Sequence, residues 1–137
     1  ILRATCKNGR VTLEGAENRT VETDKPLSVL REVLSRYRAP HIEGLPPFTG
    51  GFVGYFAYAM LGYAEPTLRI KRGAWDDFDL MLFDKVIAYD HLKQKIVLIV
   101  NMALSDVEVG YNKAKLELEQ LVSLLKTGEK KQEAPGR

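Results

Sequence analysis

The sequence predicts an α+β fold in which one or more antiparallel sheets are flanked by two main helices. Three observations support this class: short segments that alternate apolar and polar residues, two segments with helical spacing of apolar residues, and a long apolar hairpin. With 137 residues, 45% of them hydrophobic, the chain can bury a core as one domain without disulfides or a structural metal. We expect this domain to span residues 1–128. Residues 129–137, rich in Lys, Glu, Gln, Pro and Gly, are expected to form a disordered tail or linker.

The first half of the chain begins with two predicted strands, Arg10–Glu14 and Arg19–Thr23, joined by a polar turn. Asn8 and Gly9, just before the first strand, are the strongest short turn signal of the chain. A helix follows, which Thr23 or Asp24 can cap and which tolerates Pro26 in its first turn. Its predicted apolar face consists of Leu27, Leu30, Val33, Leu34 and Tyr37.

A glycine-rich segment comes next, after an irregular connection that contains Pro47. Residues 50–56 favour a strand, yet Gly50, Gly51 and Gly54 are poor strand formers. We therefore expect another backbone, side chain or ligand to approach closely there. A phosphate-binding loop is disfavoured, because the segment lacks the preceding strand, the following helix and the lysine of such loops. A short helix is expected over residues 57–63.

The second half is predicted to contain a hairpin of strands Leu80–Tyr89 and Lys95–Met102, followed by a helix. The second strand is apolar on both faces, which is typical of a strand covered on both sides. Ser105 and Glu108 form a capping box, and Gly128 is expected to end the helix. The helix carries an apolar stripe of Val107, Tyr111, Ala114, Leu118, Leu121, Val122 and Leu125.

Composition and charge exclude several classes of function. Twenty basic and eighteen acidic residues give a net charge of +2, which offers no electrostatic argument for binding nucleic acid or an anionic membrane. The longest uncharged apolar run, residues 49–63, is too short to cross a bilayer. Cys6 is the single cysteine, and we interpret it as a small, half-buried residue in a reducing cytoplasm. His41 and His91 have no metal-ligand spacing, and His91, at the hairpin turn, is expected to be exposed.

The acidic run of Asp76, Asp77 and Asp79 could chelate a cation. It lacks the glycine and the distal glutamate of a calcium loop, so a solvated loop is the favoured interpretation. We also expect Asp84 and Asp90 to form surface ion pairs with Lys85 or Lys93. Such pairs contribute little to the free energy of folding.

Two segments resemble the N-terminal region of anthranilate synthase component I. Residues 45–58, Leu-Pro-Pro-Phe-Thr-Gly-Gly-Phe-Val-Gly-Tyr-Phe-Ala-Tyr, match a Pro-Pro-Phe-x-Gly-Gly-x-Val-Gly-Tyr-Phe-x-Tyr run of that family. Residues 80–94, with their Asp-His turn, resemble a strand and turn of the same family. The resemblance assigns no catalytic, cofactor-binding or metal residue to this chain. The matching positions carry over as structural residues only: Pro47, Gly50, Gly51, Gly54 and Tyr55.

The resemblance implies that the chain forms part of the family's two-sheet sandwich. It also implies that the parent protein takes part in tryptophan biosynthesis. Members convert chorismate and ammonia into anthranilate and pyruvate, and a glutamine amidotransferase, component II, supplies the ammonia. Chorismate and magnesium are held by the family's large C-terminal region, none of whose motifs occurs in this chain. Tryptophan inhibits the family at segments that this chain lacks.

The chain is accordingly interpreted as an N-terminal, non-catalytic portion of a component I, inactive by itself. Its first residue is Ile1 rather than methionine, which suggests that it comes from a longer protein. It contains no cofactor site of its own, and magnesium is expected in the parent enzyme. The expected partners are the C-terminal chorismate-binding region and component II. Self-association of the fragment through uncovered apolar surface is also expected.

Two other interpretations remain open from the sequence. The chain could come from component I of aminodeoxychorismate synthase, the folate-pathway relative, whose product keeps the enolpyruvyl group. Alternatively, it could be a stand-alone scaffolding or regulatory domain without an attached enzyme.

Overall fold

The computed structural model describes residues 1–128, which form seven strands and three α-helices. Every strand pairing is antiparallel, so the predicted α+β class is confirmed. The chain divides into two compact units, Ile1–Asp84 and Lys85–Arg137. The tail expected over residues 129–137 lies outside the described residues, and the single domain over residues 1–128 stays a prediction.

The first unit is built on a five-stranded sheet with the strand order β3-β2-β1-β5-β4. One α-helix connects β3 to β4, and a 3₁₀ turn with a one-turn α-helix follows β4. The elements are β1 Leu2–Lys7, β2 Arg10–Gly15, β3 Arg19–Glu22, α1 Pro26–Ser35, β4 Gly51–Phe56, the 3₁₀ turn Tyr58–Met60, α2 Leu61–Ala64 and β5 Phe78–Phe83.

The central strand β1 was not predicted from the sequence. It pairs with β2 on one side and with β5 on the other, so it joins the beginning of the unit to its end. Leu2, Ala4 and Cys6 alternate with polar neighbours and are buried, which is the period-2 signal of a half-buried strand.

The core lies on one face of this sheet, beneath α1. Apolar side chains of β1, β2 and β5 meet Val29, Leu30 and Val33 of the helix, and Pro26 is buried beside them. The buried positions of α1 thus follow the spacing i, i+3, i+4, i+7 from Pro26. The predicted helix face began at Leu27, one residue after the first buried position. It was therefore wrong at Leu27, Leu34 and Tyr37, which are exposed.

The second unit is a hairpin followed by one long helix. Its elements are β6 Lys85–Asp90, β7 Lys95–Val100 and α3 Val107–Thr127. The predicted long strand Leu80–Tyr89 was wrong, because β5 and β6 belong to different sheets and are separated at Asp84. In β5 the side chains of Phe78, Leu80 and Leu82 face the core, and continuing the strand would place the carboxylate of Asp84 at the next core-facing position.

Helix α3 begins one residue later than the capping box implied. Its N-cap is Asp106, whose Oδ1 accepts a hydrogen bond from the amide of Val109 at 3.1 Å. The predicted end at Gly128 is confirmed, with φ of 60° and a hydrogen bond from its amide to the carbonyl of Leu124. No side chain of residues 85–128 is fully buried. Within the predicted stripe, the partly covered side chains are Ala114, Leu118 and Leu121.

The glycine-rich strand β4 lies at one edge of the five-stranded sheet and pairs with β5. Gly50 and Gly51 have φ of 145° and 138°, which glycine adopts far more readily than other residues. At Gly54 a Cβ atom would overlap the carbonyl oxygen of Asp79 and would lie 2.8 Å from the Cα atom of Leu80. The close approach expected at the glycines is therefore found at Gly54, and the approaching group is the backbone of β5.

This contact predicts that Gly54→Ala destabilises the fold. Because the added methyl group meets backbone atoms, the strands must separate, and we expect the free energy of unfolding to fall by about 2–4 kcal/mol. Urea unfolding followed by circular dichroism measures the loss. Gly73→Ala is the matched control, since a Cβ there meets nothing within 4 Å, and its effect should stay within about 0.5 kcal/mol. Equal stability of the two variants would contradict the close packing of β4 on β5.

Candidate functional site

The glycine-rich segment and the acidic run, which lie about twenty residues apart in the sequence, are brought together by the sheet. The pairing of β4 with β5 continues beyond the strands, where the amide of Ala57 donates to the carbonyl oxygen of Asp77 at 2.8 Å. The amide of Asp77 in turn donates to the carbonyl oxygen of Cys6 at 2.6 Å. Asp77 therefore connects the end of the motif strand to the central strand of the sheet.

The carboxylate of Asp77 is the centre of a polar cluster. Its Oδ2 accepts hydrogen bonds from Tyr63 Oη at 2.6 Å and from the amide of Asn8 at 3.0 Å, and Arg72 Nη1 lies 3.5 Å away. Tyr63 Oη accepts a further hydrogen bond from the amide of Gly9 at 2.6 Å. We call these five residues the Asp77 cluster. They come from the β1–β2 turn, from α2 and from the loop before β5.

Arg72 closes the cluster from the solvent side. Its guanidinium carbon lies 4.7 Å from the centre of the Tyr63 ring, in cation–π geometry. Its Nη1 donates to Tyr63 Oη at 2.9 Å and to Asn8 Oδ1 at 3.2 Å. The Asp77 side chain is only 3% exposed, whereas that of Arg72 is 38% exposed. A buried carboxylate with this many donors is stable in the fold, but one deprived of them would not be.

The solvated loop expected for the acidic run was therefore wrong for two of its three residues. Asp77 is buried, with its Oδ2 accepting hydrogen bonds from other segments, and Asp79 lies inside β5. Asp79 accepts two hydrogen bonds from Arg3 of the neighbouring strand, at 2.9 and 2.6 Å, and this contact lowers the pKa of the Asp79 carboxyl. Arg3 of β1 therefore pairs with Asp79, whereas groups from a turn, a helix and a loop contact Asp77.

The remaining motif residues lie apart from the cluster. Pro47 is exposed in the connection before β4, and Gly50 and Gly51 form the entry to that strand. Tyr55 lies opposite Asp79 on the face of the sheet away from the core and is 39% exposed.

The electrostatics of the cluster favour a structural role. Burial, together with the hydrogen bond to Asp77, raises the pKa of Tyr63 to about 12. Burial also raises the pKa of the Cys6 thiol, which lies 3.9 Å from Asp77 Oδ2 and is fully buried rather than half-buried. A reactive nucleophile needs the opposite shift, toward neutral pH. Both groups are therefore held in their neutral forms.

The histidines and the hairpin acids also lie outside the cluster. His41 and His91 are exposed, as expected for His91, whose ring stacks edge-on against Tyr89. Asp90 Oδ1 accepts hydrogen bonds from the amides of Leu92 and Lys93 in the hairpin turn, which lowers its pKa. Lys85 Nζ lies 3.2 Å from a carboxylate oxygen of Glu117 in α3.

Residues 1–128 contain no group of three or more His, Cys, Asp or Glu side chains placed to hold a metal ion. No helix in the same range is long and apolar enough to span a bilayer. An open, polar depression lies on the sheet, but its charged side chains are already used, since Arg10 pairs with Glu22 at 2.8 Å and Lys7 Nζ donates to the carbonyl of Ala74.

The raised pKa of Tyr63 predicts a specific alkaline dependence of stability. A folded-state pKa of about 12, above the ordinary value of 10, means that the neutral phenol stabilises the fold fully below pH 10 and progressively less up to pH 12. The stability difference between the protein and Tyr63→Phe should therefore shrink across this interval. Urea unfolding at several pH values measures it, and Tyr58→Phe, at a 75% exposed position, is the control. A difference that stays constant up to pH 12 would contradict the assignment.

Comparisons with known proteins agree on one family. The chain is 33% identical over 130 residues to anthranilate synthase component 1 of Pseudomonas aeruginosa, an alignment that covers 92% of the chain and 26% of that protein. It is 37% identical over 108 residues to the Aquifex aeolicus protein of the same name, covering 77% of the chain and 22% of that protein. No family model matches the chain.

A solved structure supports the same assignment. The crystal structure of anthranilate synthase component I from Streptococcus pneumoniae superposes with a TM-score of 0.62 at 25% sequence identity, covering 88% of this chain and 27% of that one. The chain spans about a quarter of the length of the curated relatives it matches. The chain therefore belongs with the anthranilate synthase component I family and corresponds to the N-terminal region of these proteins.

Proposed function

We propose that the chain is the non-catalytic scaffold at the N-terminus of an anthranilate synthase component I. The whole subunit would convert chorismate and ammonia into anthranilate and pyruvate for tryptophan biosynthesis, as a lyase. The observation that carries this proposal is the extent of the matches: about nine-tenths of this chain aligns with about a quarter of proteins that bear this name.

The structure supports a scaffolding role through what its polar groups do. Tyr63, Arg72 and the amide of Asn8 contact the buried carboxylate of Asp77. These contacts hold three segments of the chain together. The pKa values of Tyr63 and Cys6 are raised, so neither group is ionised near neutral pH. These side chains stabilise the five-stranded sheet. We propose that the reaction takes place in other parts of the protein.

We propose that magnesium and the remaining partners bind regions beyond this chain. Residues 1–128 contain no group of three or more His, Cys, Asp or Glu side chains that could hold the metal ion. We propose that the remainder of component I holds chorismate and the metal, and that component II delivers ammonia from glutamine. A cytoplasmic location is supported by the buried, unpaired thiol of Cys6, which is typical of a reducing compartment.

The test uses an intact component I that carries this chain as its N-terminal region. With chorismate, a magnesium salt and an ammonium salt, which replaces component II as the source of ammonia, anthranilate fluorescence should rise. Tryptophan should suppress it. The 137-residue chain alone should give no fluorescence under the same conditions.

Other outcomes would redirect the proposal. An aminated product that keeps its enolpyruvyl group would assign the protein to aminodeoxychorismate synthase. No turnover by the intact protein would support a stand-alone scaffolding or regulatory domain. Turnover by the isolated chain would contradict its non-catalytic role.

A further inference from the structure

Trp75, the single tryptophan of the chain, lies in the loop between α2 and β5. Its side chain is 79% exposed, a larger fraction than that of any Phe or Tyr in residues 1–128. Tryptophan side chains are highly buried on average, and they are enriched where one protein contacts another. An exposed indole ring that the fold holds in a fixed position therefore indicates a contact with another molecule.

The backbone on both sides of Trp75 is fixed by hydrogen bonds to β1. Before it, Lys7 Nζ donates to the carbonyl oxygen of Ala74 at 2.8 Å. After it, the amide of Asp77 donates to the carbonyl oxygen of Cys6 at 2.6 Å, and the Asp77 cluster holds the same loop through its side chains. A loop that is ordered before binding loses less conformational entropy when a partner docks, so Trp75 is positioned for binding.

The charged side chains around the ring are mainly basic, and they are exposed. Three of them belong to the same loop as Trp75, and the fourth lies at the end of β1, in contact with that loop. Together with the tryptophan they form what we call the Trp75 surface: Lys7, Arg69, Lys71, Arg72 and Trp75.

Part of this positive charge is not neutralised by the fold. Within residues 1–128, Arg69 and Lys71 form no ion pair, and Lys7 Nζ bonds to a neutral carbonyl group. The fourth cation is paired with the buried carboxylate of the Asp77 cluster. Glu65, at the start of the loop, and Asp76, beside the ring, reduce the remaining charge without cancelling it. The surface therefore keeps a positive charge that an acidic partner can neutralise.

We propose that the Trp75 surface docks an acidic segment of a separate protein. Carboxylates of that segment neutralise the basic side chains, and one of its apolar side chains covers the indole ring. Tryptophan and arginine are among the residue types that most often dominate the binding energy of a protein interface. This interaction goes beyond the scaffolding role, and it does not depend on the reaction that the whole protein catalyses.

Two other occupants fit this surface less well. A second copy of the chain would bring the same cations together, because a symmetric dimer repeats one surface on both sides of its interface. A single-stranded nucleic acid stacks successive bases on several aromatic side chains, whereas this surface has one, and its phosphates would meet the carboxylate of Asp76. A protein segment can present a neutral side chain at that point.

A peptide-binding assay tests the proposal in an intact component I that carries this chain and in the 137-residue chain. The probe is a fluorescein-labelled peptide of alternating glutamate and leucine residues. The same peptide with glutamine in place of glutamate is its uncharged control. Fluorescence anisotropy measures the binding. In the 137-residue chain, the emission of Trp75 is also recorded with the unlabelled peptide, because no other tryptophan contributes to it.

We expect the glutamate peptide to bind both proteins and the glutamine peptide to bind about tenfold more weakly or less. Trp75→Ala should weaken binding of the glutamate peptide about tenfold or more. Lys71→Glu should also weaken it, and added salt should weaken binding to the unsubstituted protein because it screens the charges. The emission of Trp75 should move to shorter wavelength, since the bound peptide removes the ring from water.

Matched substitutions elsewhere in the first unit are the controls. Tyr37→Ala removes a 45% exposed aromatic ring, and Arg31→Glu reverses an exposed charge on α1. Both variants should bind the glutamate peptide as tightly as the unsubstituted protein. Circular dichroism checks that each variant folds, and Trp75→Ser is the second variant if Trp75→Ala does not.

Several results would overturn the proposal. Absence of binding to either protein, equal binding by Trp75→Ala, or equal binding of the two peptides would do so. Binding to the 137-residue chain but not to the intact protein would mean that the rest of the polypeptide covers this surface. Tighter binding of a labelled oligothymidine than of the glutamate peptide would assign the surface to nucleic acid instead.

Discussion

The hydrogen bonds of one buried carboxylate, that of Asp77, hold the first unit together. Its side chain binds the turn between β1 and β2, the one-turn helix α2 and the loop before β5, while its backbone bonds to β1 and to the residue after β4. A buried charge without such partners is strongly unfavourable, so the cluster contributes only as a complete set. This requirement fixes where β5 begins, and hence how the glycine-rich strand pairs with it.

The position of β5 determines the rest of the unit. It lies between β1 and β4, so the pairing links the start of the chain to residues more than seventy positions later. Its inward side chains complete the core with β1, β2 and α1, while its outward side chains Met81 and Phe83 are exposed beside β4. One strand thereby couples the internal stability of the unit to the surface it presents. The result is a compact unit, which agrees with the proposed scaffolding role.

Local signals in the sequence predicted much of this fold, whereas contacts between residues far apart in the sequence were not predicted. The Asn8–Gly9 turn, with both residues at positive φ, and the glycine cap at Gly128 depend on near neighbours, and both are present. Strand β1 carried a readable alternation that was missed. The break at Asp84 was missed because apolar residues on both sides of it favoured one continuous strand. The Asp77 cluster could not be predicted, since residues 8, 63, 72 and 77 share no helical or strand period and meet only after the sheet has formed.

The most direct test of the stabilising role of Asp77 compares Asp77→Ala with Asp76→Ala in urea unfolding. Asp76 is the adjacent acid of the same run and takes no part in the cluster, so the pair controls for charge and position. Asp77→Ala should lower the free energy of unfolding by about 3 kcal/mol, because the Tyr63 hydroxyl, the Asn8 amide and Arg72 lose their common acceptor. Asp76→Ala should change it by no more than about 0.5 kcal/mol. Equal, small effects of the two substitutions would contradict the central role of Asp77.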